Sequence, residues 1–274
     1  MTSLPSSPSS SSSLIGDVPA AVGGVCALCG AAHTMVLEPT PARVALSGWF
    51  AALQAPHTEQ DRAFLALLDT AGGRKMLATL VGRTGAGDVV VLRGFSGDLA
   101  GHGDVQGCVP SIIRREDTAA LEQETLRIVA QATSRLSSCD AVVRDAARRQ
   151  RKAASATLMA AMIDATRLRT RGGRRVSLRE AFVGAREGRG IPSGTADCAL
   201  PKLLDAAFAQ GLEVVSVAEA SWAPGVVEGE RAHGVLAAPC DIRCAPILGA
   251  MLCPQSSSSS SSALLSALLS SEPS

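Results

Sequence analysis

Tyrosine is absent from this chain of 274 residues, and all aromatics together make up only 3% of it. That scarcity argues against a platform of stacked rings of the kind that grips single-stranded nucleic acid. Apolar runs of about 18 residues, the length needed to cross a bilayer, are also missing, so no membrane contact is expected. The amino terminus has neither the basic start nor the continuous apolar stretch of a secretory signal, and no arginine precedes Arg43. An intracellular place, cytoplasmic or organellar, is therefore expected. A net charge of +1 leaves no whole-molecule attraction to a polyanion, so any such contact must rest on local charge.

What is there instead is apolar and rich in alanine. Hydrophobic residues are 46% of the chain, which leaves room for one sizeable domain and a second small one, and the alanine suggests long, closely packed helices. Eight cysteines (Cys26, Cys29, Cys108, Cys139, Cys198, Cys240, Cys244 and Cys253) occur without a secretion signal. They read as reduced thiols, and where several share a role, metal binding is favoured over disulfides.

Composition and periodicity divide the chain into five segments. Residues 1–20 are Ser/Pro-rich and expected to be disordered, as is the Ser-rich tail 255–274. Residues 21–115 carry two helices, at 42–53 and 59–68, and a β-hairpin whose strands 75–81 and 88–92 flank a Gly-rich turn. Residues 116–190 are helical to about 169, with a break expected at Ser137-Ser138 and a capping box at Ser177 and Glu180. Residues 191–254 read as helix (198–210), strand (213–218), loop and a final helix after Cys240.

The last of these segments holds the most chemistry. Cys198 and the Cys240/Cys244 pair each precede an apolar run of helical period, which places the thiols at helix N-termini. There the exposed N–H groups and the helix dipole favour thiolate, the metal-binding form. Cys240 and Cys244, four apart, share a helix face. The three cysteines make a candidate zinc site, with His233 on the approach to Cys240 as a candidate fourth ligand. The pattern is similar to the zinc nucleobase deaminase signature H-x-E…P-C-x-x-C, in which cysteine can replace the histidine. Its glutamate would fall at position 200, which is Leu200 here. The fold expected is thus α/β: a β-hairpin plus long helices and a small deaminase-like sheet-and-helix core.

Other motifs read more plainly. Cys26-Ala27-Leu28-Cys29 with His33 has the form of half a zinc ribbon, but no second half follows at the usual distance, so it reads as an accidental pair. Gly94-Phe95-Ser96-Gly97 lacks the fifth-position glycine of a nucleophile elbow and reads as a turn. The glycines of 82–87 end in no G-K-[ST] and make no P-loop.

A basic band completes the inventory. Residues 144–189 carry thirteen of the 26 Lys/Arg against four acids. Arg144, Arg148, Arg149, Arg151, Lys152, Arg167, Arg169, Arg171, Arg174 and Arg175 are the candidate phosphate contacts, with Arg179, Arg186 and Arg189 at the band's end. The bland alternative is a solvated face balanced by acids elsewhere.

Five stretches then resemble the region that precedes the catalytic domain in long pseudouridine synthases of the RluA type. They are Lys75-Met76; Gly94-Phe95-Ser96-Gly97 with Val109-Pro110; the basic helix Arg149–Thr157; Pro192-Ser193-Gly194-Thr195-Ala196-Asp197-Cys198 with Pro201-Lys202-Leu203-Leu204; and Glu219…Trp222…Arg231-Ala232-His233-Gly234 running into Pro239-Cys240…Cys244-Ala245-Pro246-Ile247-Leu248. Together they span about residues 45–252. Ala199 stands where that family usually has a second cysteine, and Ser221-Trp222 where it has an aromatic pair. The resemblance implies RNA modification as the setting. The family's catalytic aspartate lies in an H-R-L-D-type motif of the following domain. No such motif occurs in this sequence, so no catalytic residue is assigned.

The resulting expectation is a zinc-holding accessory module that binds RNA or a pseudouridine synthase partner. A zinc-dependent hydrolase of deaminase type is the alternative, with Asp197 replacing the missing glutamate. A metal-free structural module is the third.

Overall fold

A computed structural model describes residues 14–113, 118–184, 190–229 and 231–255. It is an α/β structure whose centre is a three-stranded antiparallel sheet in the order β4-β3-β7, formed by β3 (Lys75–Arg83), β4 (Val89–Phe95) and β7 (Glu213–Trp222). β3 and β4 make the expected hairpin, longer than its apolar cores suggest, from Leu77 opposite Phe95 to Arg83 opposite Val89.

Two helical layers cover the sheet. On one face lie α1 (Thr40–Gln54) and α2 (Glu59–Thr70). α1 carries Pro41 in its first turn, where the missing N–H has no helical partner to lose, and Thr58 caps α2 by accepting the Asp61 N–H. Leu46, Trp49, Phe50, Leu53, Phe64 and Leu68 from these helices meet Leu77, Val81, Ala218, Ala220 and Trp222 of the sheet. On the other face lies α6 (Ala199–Ala209), with α7 (Ala245–Met251) packed beside it and against residues 21–25. Leu200, Leu203, Leu204 and Ala207 of α6 recur at helical spacing and are buried against Ala78, Leu80 and Val217. Alternation along β7 sends Ala218 and Ala220 to one face and Val217 and Glu219 to the other.

Between hairpin and α6 the chain leaves the body as a helical arm. α3 (Ala119–Ser134) ends in a 3₁₀ turn, Arg135–Ser137, and α4 (Ala141–Ala165) restarts with Asp140 accepting the Val142 N–H. The break thus falls where the paired serines indicate. α3 buries only Thr125 and Ala132, and α4 only Ala147 and Ile163. At about 1.5 Å per residue, α4 is about 37 Å long.

Four features depart from expectation. Ala21–Val25 (β1) and Ala32–Val36 (β2) form an antiparallel hairpin, and Arg167–Arg169 (β5) pairs with Arg175–Ser177 (β6). Helix therefore stops at Ala165, because Thr166 adopts an extended backbone and takes the Met162 carbonyl with both its N–H and its hydroxyl. β7 runs four residues past the expected end at Ala218, held by β3 through Lys75 opposite Trp222. Residues 14–20, expected to be disordered, bury Leu14 and Val18, and Ile15 bridges to Val235. The capping box appears as expected, opening the short α5 (Leu178–Ala181). Positions 1–13 and 256–274, with Arg186 and Arg189, lie outside the described residues.

Candidate metal centre

Two helix starts meet near Glu219 of β7. Cys198 is the N-cap residue of α6, and Cys244 that of α7. The turn before α7 wraps around the Cys240 carbonyl, which accepts the N–H groups of both Cys244 and Ala245. This turn carries Cys240 back onto Cys244, with 3.5 Å between sulfurs. The three Sγ atoms of Cys198, Cys240 and Cys244 all lie within 4.8 Å of one another. Sulfurs sharing a tetrahedral zinc at about 2.3 Å are about 3.8 Å apart, so small adjustments bring this set to ligand geometry. Cys244 is buried, Cys198 half-buried and Cys240 exposed, which leaves one side of the cluster open.

The thiols are chemically uneven. Hydrogen bonding from Cys244 brings the Cys198 thiol down to about 7 against the cost of its burial, and Cys240 and Arg243 act in the same direction. Cys244 is pushed up, first as the donor to Cys198 and then by burial. Cys198 is thus readier to ionise than Cys244, and ionisation of a thiol is the usual first step in metal capture.

Sequence reasoning missed the carboxylate at this place. Glu219 projects from β7 toward the start of α6 and is 8% exposed, with the Leu200 backbone N–H near enough to oppose weakly the effect of burial on its carboxyl group. Leu200 is the position at which the deaminase signature carries its own glutamate. The strand thus brings a carboxyl group close to that position. Glu219 interacts electrostatically with Cys198 and Cys244, yet its oxygens are not among the donors gathered within 4.8 Å. Burial pushes its carboxyl up to about 8, with Cys198 adding to the shift, and Oε1 has no hydrogen-bond partner among the described residues. A signal existed in the sequence: Glu219 is the one acid inside the otherwise apolar or small run Val214–Trp222.

His233 is placed elsewhere. Its Nδ1 accepts the Ala223 N–H, its Nε2 lies 3.1 Å from the Gln54 amide, and its ring packs between Phe50 and Trp222. It anchors the 223–233 loop to α1, and it does not join the three sulfurs. Asp197, the carboxylate considered as a substitute acid/base, is paired with Lys202 at 2.9 Å. Lys202 is 1% exposed, and its ammonium also donates to the carbonyls of Phe95 and Gly97. The stretches around Gly94–Gly97 and Asp197–Lys202 therefore meet in one buried polar latch beside Cys198.

A second cluster forms from the pair read as accidental. Cys26, Cys29, His33 and Cys253 present four donor atoms within 4.8 Å of one another, a set able to hold a metal ion. The missing half of the ribbon is one residue, Cys253, just past the end of α7.

The basic band splits in two. Arg148, Arg149 and Lys152 are exposed on α4, with Arg144 and Arg151 half-buried, and Arg144 folds back onto the carbonyls of Ser138 and Cys139. Arg148, Arg151 and Lys152 line a groove of about 260 Å³ with Val129 and Ser155. Arg167, Arg169, Arg171, Arg174 and Arg175 instead belong to the β5–β6 hairpin, at least 20 Å of helix further along. There Arg167 bonds the carbonyls of Asp164 and Thr166, and Arg179 pairs with Asp164.

No helix among the described residues is long and apolar enough to cross a membrane. No protein-family model, no curated protein and no solved structure matches this chain.

Proposed function

We propose that this chain is an accessory module of RNA modification that binds RNA through its helical arm and holds zinc in its body. The observation that carries this reading is the groove on the arm. Three cationic side chains, Arg148, Arg151 and Lys152, converge on it, and only Arg148 has an ionic partner among the described residues, Asp145. An arm that buries so little of itself is poorly explained by packing. A cationic groove along it suits a phosphate backbone, whose recognition needs neither aromatic rings nor net positive charge on the whole molecule. The resemblance to the region preceding pseudouridine synthase domains supplies the setting, with an RNA or such an enzyme as the partner. Zinc is the ion that thiolate-rich sets of this size favour.

The test is binding to a generic structured RNA as salt is raised. Each phosphate contact contributes roughly 0.7–0.9 to the log–log slope, so replacing Arg148, Arg151 and Lys152 with alanine should lower it by about 2–3. Salt-independent binding, or none at low salt, contradicts the reading.

Glu219 favours a second reading, a zinc-dependent hydrolase of deaminase type. In it Cys198, Cys240 and Cys244 hold zinc with one open position. When bound, the ion would supply an activated water, and Glu219 beside the three sulfurs would be the residue placed to hold and move a proton once the ion's charge favours its ionised form. The order hairpin, helix, strand, helix around the cluster agrees with it. Zinc-loaded protein incubated with cytidine, adenosine and single-stranded RNA tests this: turnover lost in Glu219→Gln supports it, and no turnover leaves the binding module as the reading.

A further inference from the structure

We propose that Cys26, Cys29, His33 and Cys253 form a closed structural zinc site. This site clasps the N-terminal hairpin onto the end of α7, and so holds Cys244, at the other end of that helix, against Cys198. The proposal is independent of the RNA-binding reading.

The local fold of the first three donors is that of a metal knuckle. Cys26 donates its N–H to Ala31 and its carbonyl accepts the Gly30 N–H, so the chain turns tightly between the two cysteines. Gly30 sits at a φ of 79°, a left-handed conformation that glycine adopts without strain. The turn presents Cys26 and Cys29 to the same side, and β2 returns His33 to within 3.2 Å of the Cys29 sulfur. Four donors, three thiols and one imidazole, fill a tetrahedral zinc shell and leave no position for water.

The fourth donor arrives by a separate set of contacts. β1 and α7 touch backbone to backbone: a Cβ on Gly249 would lie 2.3 Å from the Val25 carbonyl oxygen, and one on Gly24 would lie 2.9 Å from that of Ala245. At the end of the helix and just past it, the Met251 and Cys253 carbonyls accept the N–H groups of Arg171 and Gly172 from the β5–β6 turn. Cys253 is thus delivered to the knuckle, buried beside Cys26, by contacts that do not involve sulfur. α7 is only seven residues long, about 10 Å, and carries a ligand of each cluster at its two ends. Fixing its C-terminal end restricts where Cys244 can go.

The ligand class is a thiophilic divalent ion of tetrahedral preference, with zinc as the ion held. Cadmium-113 NMR of the full chain after metal exchange should give two resonances, one from a three-sulfur, one-nitrogen site. A Cys198→Ser/Cys240→Ser variant should retain one equivalent of zinc and the mixed-donor resonance alone. In that background His33→Cys should keep the metal with its resonance moved to that of a four-sulfur shell, and His33→Ala should abolish the mixed-donor resonance. The proposal is overturned if the unsubstituted chain gives no mixed-donor resonance. It is equally overturned if Cys26 and Cys253 are found joined as a disulfide in freshly purified protein. Because the first measurement needs no substitution, a variant that fails to fold leaves the test intact.

Discussion

Around Cys26, three donors come from one short turn-and-strand segment and the fourth from beyond α7. Around Cys198, two come from helix N-caps and the third, Cys240, from the turn that leads into α7. The first set has four donors and a buried floor of Cys26 and Cys253. The second has three donors, an exposed Cys240 and a buried carboxyl group alongside. A full shell suits holding the fold together, and an incomplete one leaves room for a water or a substrate atom. The comparison teaches that eight cysteines need not mean one site, and that donor count separates structure from chemistry better than the spacing of any one pair.

The comparison can be broken most forcefully at the latch beside the open cluster. Asp197→Ala leaves the Lys202 ammonium buried without its counter-ion. Losing one partner of such a pair costs about 3–5 kcal/mol when both are fully buried, and Asp197 is partly exposed, so about 3 kcal/mol is expected in chemical denaturation. The loss should weaken metal retention at Cys198 while the Cys26 site keeps its ion.

Next in size is Gly249→Ala, which strikes the closed cluster. The added methyl meets the carbonyls of Val25 and Gly24, and overpacking of this kind costs about 1–3 kcal/mol. Thermal denaturation with and without chelator should show a lower midpoint and a closed site that releases metal sooner. An unchanged midpoint would mean that hairpin and helix are not in direct backbone contact.

Glu219→Gln sharpens the electrostatic side of the comparison in metal-free protein. The folded carboxyl group titrates at about 8, above its ordinary value of 4.5, so the fold favours the protonated form. Below pH 4.5 both states are protonated and the group adds no pH-dependent penalty. Between 4.5 and 8 the unfolded chain loses the proton first, and stability falls as pH rises. The glutamine variant lacks this loss. Its advantage over the unsubstituted chain should grow from pH 5 to 8 and then level off, as read by denaturation midpoints across that range.

The smallest effect belongs to the arm. Arg148 pairs with Asp145 on an exposed helix face, a contact worth about 0.5 kcal/mol or less. Arg148→Ala should therefore leave the denaturation midpoint nearly unchanged while weakening RNA binding at low salt. A large stability loss would make the arm a packing element instead.

Much of this frame was legible in the sequence because it is local. The 3.6-residue period marks α1, α2 and α6, the paired serines mark the break between α3 and α4, and Ser177 with Glu180 mark a capping box. The meeting of Cys198 with Cys240 and Cys244 was also open to reasoning, since thiols at two helix starts on one sheet face converge. The β1–β2 hairpin was hidden by Gly23-Gly24, which dilute its apolar alternation, and β5–β6 by strands of three residues. Cys253 as the partner of Cys26 depends on tertiary contacts between β1 and α7, which no local pattern encodes. Glu219 was missed because the glutamate was sought at position 200, along the helix, whereas β7 places a carboxyl group beside the start of α6 from the sheet that the helix covers.

The difference between a closed and an open cluster is tested most directly by loading the full chain with cobalt(II) and titrating it with cyanide under visible spectroscopy. The account predicts a change in the bands of one cobalt ion, abolished in Cys240→Ser, while the bands of the second ion stay fixed. Spectra in which neither ion responds, or in which both do, would contradict it.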